Sequence, residues 1–485
     1  MSFQTSKVLF SGISWTSLQT LVTKIISIVT QLILAAILLP EDFGKFGIVT
    51  SITSITFLIQ GFGLAEVLIN RQKSYSLIYN LAKSFALSSA VCAFVITNLT
   101  SVIVGIYVFN DFEIIFLIMI LSLSIPFNSI SIVTESKLRI NLEFRKLTYI
   151  RIYEFLVLNV TLLTLVYSGL GVYSFAIAPL ISSGFRYFLL HKYTGLPHYF
   201  LFRLNHYKYL LRDSYFSFLN NLFQSIIRYT DYLIIGIYVS IQSVGIYFMG
   251  YSLSVQVISL LVLSLSPVFY PVLSKIDIQN KLEFKDIFIK IITVFSLFGM
   301  CFSMIQLTMV EPLIKLFMND NWLEAIVIVQ ILSLGIGFNV SSTVWTVGYR
   351  LRGDFKNLAL MSFFAMITFL VIINFSTYFY GIIGTATGVS LYYLFVNTFL
   401  LCFSLKKFNI RPNLILKIIF KYFIISVIIF YCFHLVSEYF TTNLFYRLLL
   451  KTLMPTLFYF FILYQFDKKS KNALTQIKQK LWKKK

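Results

Sequence analysis

Charge is the scarcest commodity in this sequence. Only 12% of its 485 residues are Asp, Glu, Lys or Arg, about half the share of a soluble chain. Mean hydropathy is +0.83. That excludes a water-soluble fold, and an apolar content of 58% excludes long disorder. The four Cys (Cys92, Cys301, Cys402, Cys432) all fall inside apolar runs without metal spacing, and read as small packing residues. Of the four His, His191, His198 and His206 share one loop region at gaps that do not suit a zinc site. No cofactor or metal is expected. The chain also lacks a Gly-rich phosphate loop, a nucleophile elbow and acids paired at a hydrolytic spacing. Its connections are too short to house an enzymatic domain, which points to a transporter rather than an enzyme.

What the sequence has in abundance is long apolar runs. A helix crosses a bilayer core with about 20 apolar residues. Fourteen such runs are read here, near 13–38, 46–69, 84–108, 114–135, 148–168, 171–191, 215–239, 245–270, 287–310, 323–347, 357–379, 382–405, 414–436 and 446–466. The expected fold class is therefore an all-α polytopic membrane protein of about 14 transmembrane helices. Lys and Arg number 40 against 19 acids. With a cytoplasmic N-terminus, all but six of the 40 fall on the inner side. The six are Lys24, Lys45, Arg228, Lys315, Arg447 and Lys451. This asymmetry places both termini in the cytoplasm and accounts for the net +21 without nucleic acid. The eight Lys from Lys468 to Lys485 form a basic cytoplasmic tail, read either as a surface helix on anionic headgroups or as a solvated charge run.

A weak internal repeat is visible. PEDFGKFGIV (Pro40–Val49) aligns with SIQSVGIYFMG (Ser240–Gly250), pairing Gly44 with Gly245 and Phe46 with Tyr247 at an offset of 201. GLGVYSFA (Gly169–Ala176) echoes GIIGTATG (Gly381–Gly388). Six spans separate the copies, so both have the same orientation. The expected organisation is two pseudo-symmetric six-helix lobes, residues 1–212 and 213–410, then an extra transmembrane helix pair at 411–466 and the tail at 467–485. Substrate would lie between the lobes near the midplane.

Charge in mid-membrane is expensive, at ~2.5–3.5 kcal/mol for a Lys on the insertion scale. Lys24 lies ~16 Å into the first span. Thr16, Thr20, Ser27 and Gln31 share its helix face. The seventh span carries a matching stripe of Ser217, Asn221, Gln224, Arg228 and Asp231, and the eighth a weaker one of Ser252, Gln256, Ser259 and Ser266. The last reads better as a helix-packing surface. Lys24 and Arg228, with Gln31, Asn221 and Gln224, are the candidate substrate-binding residues. Asp231 and Glu154 are candidates for ion coupling. Arg228 and Asp231 could equally be a structural pair, and Glu154 of the fifth span could be a partner for Lys24. Glu66, Glu135, Glu143 and Arg186 read as interfacial. A lining of Lys, Arg, amides and hydroxyls suits an anionic, hydroxyl-rich substrate.

LLPEDFGKFGIV…GFGLAEVLINR in the first two spans resembles the signature of the polysaccharide-biosynthesis, or Wzx-type, oligosaccharide flippases of the multidrug/oligosaccharidyl-lipid/polysaccharide exporter superfamily. ESKLRINLEFRKL (Glu135–Leu147), GVYSFAIAPLI (Gly171–Ile181) and RYTDYLIIGIYVSIQSVGIYFMGYSL (Arg228–Leu253) are similar to further segments of that family. The resemblance implies a flippase in the bacterial cytoplasmic (inner) membrane; a monomer is expected, since the cavity would form within one chain. It would move a polyprenyl-diphosphate-linked oligosaccharide to the outer leaflet by alternating access, for O-antigen, capsule or exopolysaccharide assembly, alongside polysaccharide polymerase machinery. Two negative charges moving outward release ~4.6 kcal/mol per 100 mV. Membrane potential could therefore drive the step, with proton or sodium antiport the alternative. The rivals are a peptidoglycan lipid-precursor flippase, a drug or cation antiporter of the same superfamily, and a membrane-embedded glycosyltransferase.

Overall fold

The structure is a computed structural model that describes residues 3–62, 64, 68, 75–195, 204–255, 281–440 and 443–466. These residues are helical apart from short connections, with no strand among them. That is the outcome lipid dictates, since a backbone away from water must satisfy its polar groups within the segment.

The helices are α1 (Phe3–Ile37), α2 (Pro40–Gly61), α3 (Tyr75–Ile103), α4 (Phe112–Ser122), α5 (Ile125–Ile140), α6 (Phe144–Tyr167), α7 (Ser174–Thr194), α8 (Leu204–Tyr238) and α9 (241–255). They continue with α10 (Lys281–Phe317), α11 (Glu324–Ser342), α12 (Val344–Leu351), α13 (Phe355–Leu391), α14 (Thr398–Lys407), α15 (Pro412–Phe440) and α16 (Leu444–Phe466).

Their ends follow local chemistry. Pro40 opens α2, with Asp42 accepting the Leu39 N–H at 3.1 Å. Asp111 caps α4 by accepting the Glu113 N–H at 2.8 Å. Gly195 ends α7 at φ 57°, where a side chain would be strained. Gly381, at φ 59° and ψ −144°, breaks α13 into two runs. A Cβ on Gly384 would fall 2.0 Å from the Ser376 carbonyl, and the Thr377 and Thr385 hydroxyls meet at 2.8 Å. The chain therefore turns back on itself there.

Among the described residues ten segments are long and apolar enough to cross a membrane. One of them, Phe355–Lys407, is 53 residues long and contains the Gly381 reversal. Helix is present in each of the fourteen runs expected, though 256–280 of the eighth lies outside the described residues. Gln256, Ser259, Ser266, Glu66 and the basic tail also lie outside them. α7 and α8 are not among the ten, because Arg186, Lys192, Arg228, Asp231 and their polar neighbours dilute the apolar content.

The chain forms two compact units, Met1–Phe248 with Phe355–Met366, and Met249–Asp354 with Ile367–Lys485. In the first, α2 packs on α3 and α8, α1 on α6, and α6 on α7. In the second, α10 is the central helix, packed on α11, α15 and α16. It buries Phe288, Ile292, Leu297, Met300, Cys301 and Ile314. Exposed Leu18, Leu21, Ile25 and Val29 on α1, and Phe364, Ile367, Val371 and Phe375 on α13, are the surface a lipid phase would cover.

Candidate functional site

The stripe on α1 survives as a distinct surface. Thr16, Thr20, Lys24, Ser27 and Gln31 are all half-buried, whereas Leu18, Leu21, Ile25 and Val29 are exposed. At 100° per residue the two stripes are centred ~140° apart on the helix. Lys24 makes no hydrogen bond or ion pair among the described residues, while Thr20 and Thr23 hydroxyls bond back to the α1 carbonyls of Thr16 and Gln19 at 2.9 Å.

The α8 stripe divides into parts with different surroundings. Arg228 is exposed and Asp231 is buried. Asp231 Oδ2 accepts from the Tyr247 hydroxyl at 3.0 Å, and its Oδ1 accepts the Tyr232 N–H at 3.0 Å. Gln224 donates to the Ser362 hydroxyl at 3.2 Å, and Ser362 donates to Asn220 at 2.8 Å. Asn220 in turn donates to Asn221 at 3.3 Å. Asn221 and Gln224 thus belong to an amide–hydroxyl chain anchored on the fully buried Ser362. Asn220 and Ser362 carried no signal in the sequence, since their partners are 142 residues apart.

Glu154 is engaged by arginines and makes no hydrogen bond or ion pair with Lys24. Its carboxylate accepts from Arg186 at 3.1 Å and from Arg151 at 3.4 Å. Arg151 also donates to Glu135 at 2.7 Å, and Arg139 donates to the other oxygen of Glu135 at 2.7 Å. Three guanidinium groups therefore share two carboxylates across α5, α6 and α7. Glu135 and Arg186 are 5% and 8% exposed. They are buried members of this network, paired within the helix bundle. Lys83, counted with the basic loop 71–83, is likewise buried within α3.

The repeat acquires a physical meaning at the start of α2. A Cβ on Gly44 would lie 1.9 Å from the Ile241 carbonyl oxygen, and a Cβ on Gly245 would lie 1.7 Å from the Pro40 oxygen. Both glycines and both carbonyls are related by the same offset, 44 to 245 and 40 to 241. The two copies of the motif thus cross each other backbone to backbone, in a way only glycine permits. Gly47 continues the seam against Val244 and Phe248. Above it Phe46 stacks on Phe175 at 4.4 Å, and Phe248 packs on Phe43, Phe46 and Tyr232. Ser51 ties α2 to α8 by donating to the Tyr229 carbonyl at 2.7 Å. Glycine contact and an aromatic layer thus pack α2, α7, α8 and α9 together at this end.

At that same end Lys45 is held by acids, 3.2 Å from Asp111, 3.6 Å from Glu41 and hydrogen-bonded to Glu113.

A family model described as "Polysaccharide biosynthesis protein" matches residues 33–327, well over half of the chain. The chain belongs to this polysaccharide biosynthesis family. It is 23% identical over 336 residues to the teichuronic acid biosynthesis protein TuaB of Bacillus subtilis, covering 68% of each chain. Its fold is similar to that of the lipid II flippase MurJ in an inward closed conformation, with a TM-score of 0.76 and 18% identity over 93% of this chain and 98% of that one. It is also similar to a multidrug-resistance MATE family transporter of the MOP superfamily in an inward-facing conformation, with a TM-score of 0.64 and 12% identity over 80% of this chain and 94% of that one. The protein is a multi-pass membrane protein with the fold of that transporter superfamily.

Proposed function

We propose that the protein is a flippase, moving a polyprenyl-diphosphate-linked oligosaccharide repeat unit from the cytoplasmic to the outer leaflet of a bacterial inner membrane. Family membership and fold support a transporter of polysaccharide assembly. The observation that carries the finer reading is Lys24. It is a cation in the middle of an apolar helix, on a polar face turned away from the exposed leucines, with no hydrogen bond or ion pair among the described residues. A diphosphate is the kind of group that offsets such a charge. Gln31 and the α8 amides are suited to sugar hydroxyls, and Arg228 to the second phosphate.

In this reading the lobes are 1–212 and 213–410, and the extra pair 411–466 guides the polyprenyl tail. The Gly44–Gly245 crossing is the outer gate, which parts when the cavity turns outward. Both termini are cytoplasmic, the protein acts as a monomer, and a polymerase consumes its product. Coupling, where membrane potential alone does not suffice, falls to Asp231. Glu154 is the weaker choice, because its carboxylate already lies between Arg151 and Arg186.

The test is complementation of a strain lacking the gene, following surface polysaccharide and cytoplasmic lipid-linked intermediates. The reading expects wild type to restore surface glycan. Lys24→Gln should leave lipid-linked repeat units inside, and Lys24→Arg should recover a substantial part. Normal surface polysaccharide in the deletion strain, with altered drug sensitivity, would replace the flippase by an antiporter.

A further inference from the structure

Three amides on α8 and one serine on α13 form a chain whose direction follows from a single proton. A serine hydroxyl has one O–H to donate and two lone pairs with which to accept. Ser362 donates its O–H to Asn220 Oδ1 at 2.8 Å. Toward Gln224 it can therefore only accept, and Gln224 Nε2 donates to it at 3.2 Å. Asn220, its oxygen engaged, turns Nδ2 to Asn221 Oδ1 at 3.3 Å. Every bond runs the same way, from Gln224 through Ser362 and Asn220 to Asn221, so each polarises the next.

The middle of the chain is sealed and its ends are not. Ser362 is fully buried and Asn220 is 2% exposed, whereas Asn221 and Gln224 are half-buried. Beside the serine, Phe223 packs edge-to-face on Phe363 with ring centroids 5.4 Å apart, which holds α8 against this part of α13. Two amide atoms are left over: Gln224 Oε1, an acceptor, and Asn221 Nδ2, a donor. Neither makes a hydrogen bond among the described residues, and neither is closed off from the surface. Their residues stand one helical turn apart, on the face that carries Arg228 a further turn along. An amide presents nearly the same shape either way round. Without Ser362 nothing in this chain would decide which way Gln224 faces, and the two ends would show a mixture of donors and acceptors.

We infer that Ser362 is a positioning residue that fixes Gln224 and Asn221 as an acceptor–donor pair, and that this pair selects a sugar presenting a hydrogen-bond donor beside an acceptor. Vicinal hydroxyls and an acetamido group share that chemistry. An ionised diphosphate offers only acceptors and cannot satisfy Gln224 Oε1. The inference rests on the flippase reading for its class of ligand, and adds which atoms read the sugar and what orients them.

The test is equilibrium binding to the purified full-length protein in nanodiscs. The probes are polyprenyl diphosphate alone, and the same lipid bearing glucose or N-acetylglucosamine. Wild type should bind at least one sugar-bearing lipid more tightly than the bare one. Ser362→Ala should reduce that preference about three- to tenfold, the worth of a neutral hydrogen bond, and leave affinity for polyprenyl diphosphate unchanged. Ser362→Thr keeps the hydroxyl and should keep the preference. Gln224→Leu, at a half-buried position, should lose it too, and decides the matter should Ser362→Ala not fold. In an Asn221→Leu/Gln224→Leu background, Ser362→Ala should change nothing further, because the serine acts through these amides. A loss confined to the N-acetylglucosamine lipid assigns the acetamido group, and a loss shared by both sugars assigns vicinal hydroxyls. Equal weakening for sugar-bearing and bare lipids makes Ser362 a structural residue only and overturns the inference. So does an unchanged preference in Ser362→Ala or Gln224→Leu, a further loss in the triple variant, or a wild type that binds all three lipids alike. Those outcomes leave the flippase reading standing. A wild type that binds none of the three lipids overturns that reading, and the sugar assignment with it.

Discussion

Adding one methyl group at Gly245 is the most direct probe of the helix crossing. The new Cβ would stand 1.7 Å from the Pro40 carbonyl oxygen and 2.9 Å from the Gly44 nitrogen. A carbon and a carbonyl oxygen approach no closer than ~3.3 Å. α2 and α9 must then part by roughly 1.5 Å, and both colliding atoms are backbone, so no rotamer change relieves the clash. Overpacking of this kind costs about 1–3 kcal/mol. If the crossing opens during transport, the cost falls on the closed state alone and raises the open fraction ~5- to 150-fold. Gly44→Ala, at 1.9 Å from Ile241 O, should behave alike. Gly47→Ala meets a Val244 methyl at 3.0 Å, which can give way, and should shift the fraction less. Gly184 in α7 has open space where its Cβ would be, so Gly184→Ala is the control and should stabilise by ~0.5–1 kcal/mol. The assay is the rate at which a water-soluble maleimide labels Ser51→Cys, buried behind the crossing, in a background without the four native cysteines. Thermal unfolding is measured in parallel. Labelling should accelerate in the order Gly245 and Gly44, then Gly47, then Gly184. Identical labelling of Gly245→Ala and Gly184→Ala would refute the crossing as a gate. A fall in melting temperature without faster labelling would make it a purely structural seam.

Other outcomes follow from the charged and polar contacts. Glu154→Gln leaves Arg186 buried without its carboxylate and should destabilise by about 2–3 kcal/mol. Arg139→Gln, whose side chain is 47% exposed, should cost less than ~1 kcal/mol; equal effects would show that burial does not set the strength of this network. Tyr247→Phe removes the hydroxyl on the buried Asp231 carboxylate and should cost ~1–3 kcal/mol in chemical or thermal unfolding. An unchanged midpoint would mean that the hydrogen bond is not formed in the membrane protein as purified.

The fold was legible because lipid imposes a one-dimensional rule. Each apolar run long enough to span becomes a helix, and Pro40, Gly195 and Gly381 sit where helices start, stop or turn. Gly44 and Gly245 were legible as a pair because both serve close backbone approach, which no other residue can supply. Most of the side-chain network was not legible. Helical spacing reveals partners three or four residues apart, such as Glu135 with Arg139, but Arg151 and Glu135 are 16 apart and Arg186 and Glu154 are 32 apart. In sequence, a charge near a helix end looks the same whether it reaches water or is paired inside the bundle. The pairing of Glu135 and Arg186 and the burial of Lys83 were not legible for that reason. Ser362 escaped notice because a lone serine in an apolar run carries no pattern at all.

The charges that lie off the basic side can be sorted by what balances them. Lys45 is surrounded by three carboxylates. Lys315, Arg447 and Lys451 share Glu311. Glu154, the acid that might have matched Lys24, is already shared by two arginines. Placing a lysine at mid-helix costs ~2.5–3.5 kcal/mol when nothing compensates it, and among the described residues nothing hydrogen-bonds or ion-pairs with Lys24. Lys45, Arg151 and Arg186 are met by carboxylates, whereas Lys24 stands on a polar face with no carboxylate paired to it among the described residues. That is the arrangement expected of a cation whose counter-charge arrives with the substrate. A lysine serving only to pack the helix would instead be replaceable by methionine, so transport by Lys24→Met at the wild-type rate would remove this argument while leaving the fold and the crossing as they stand.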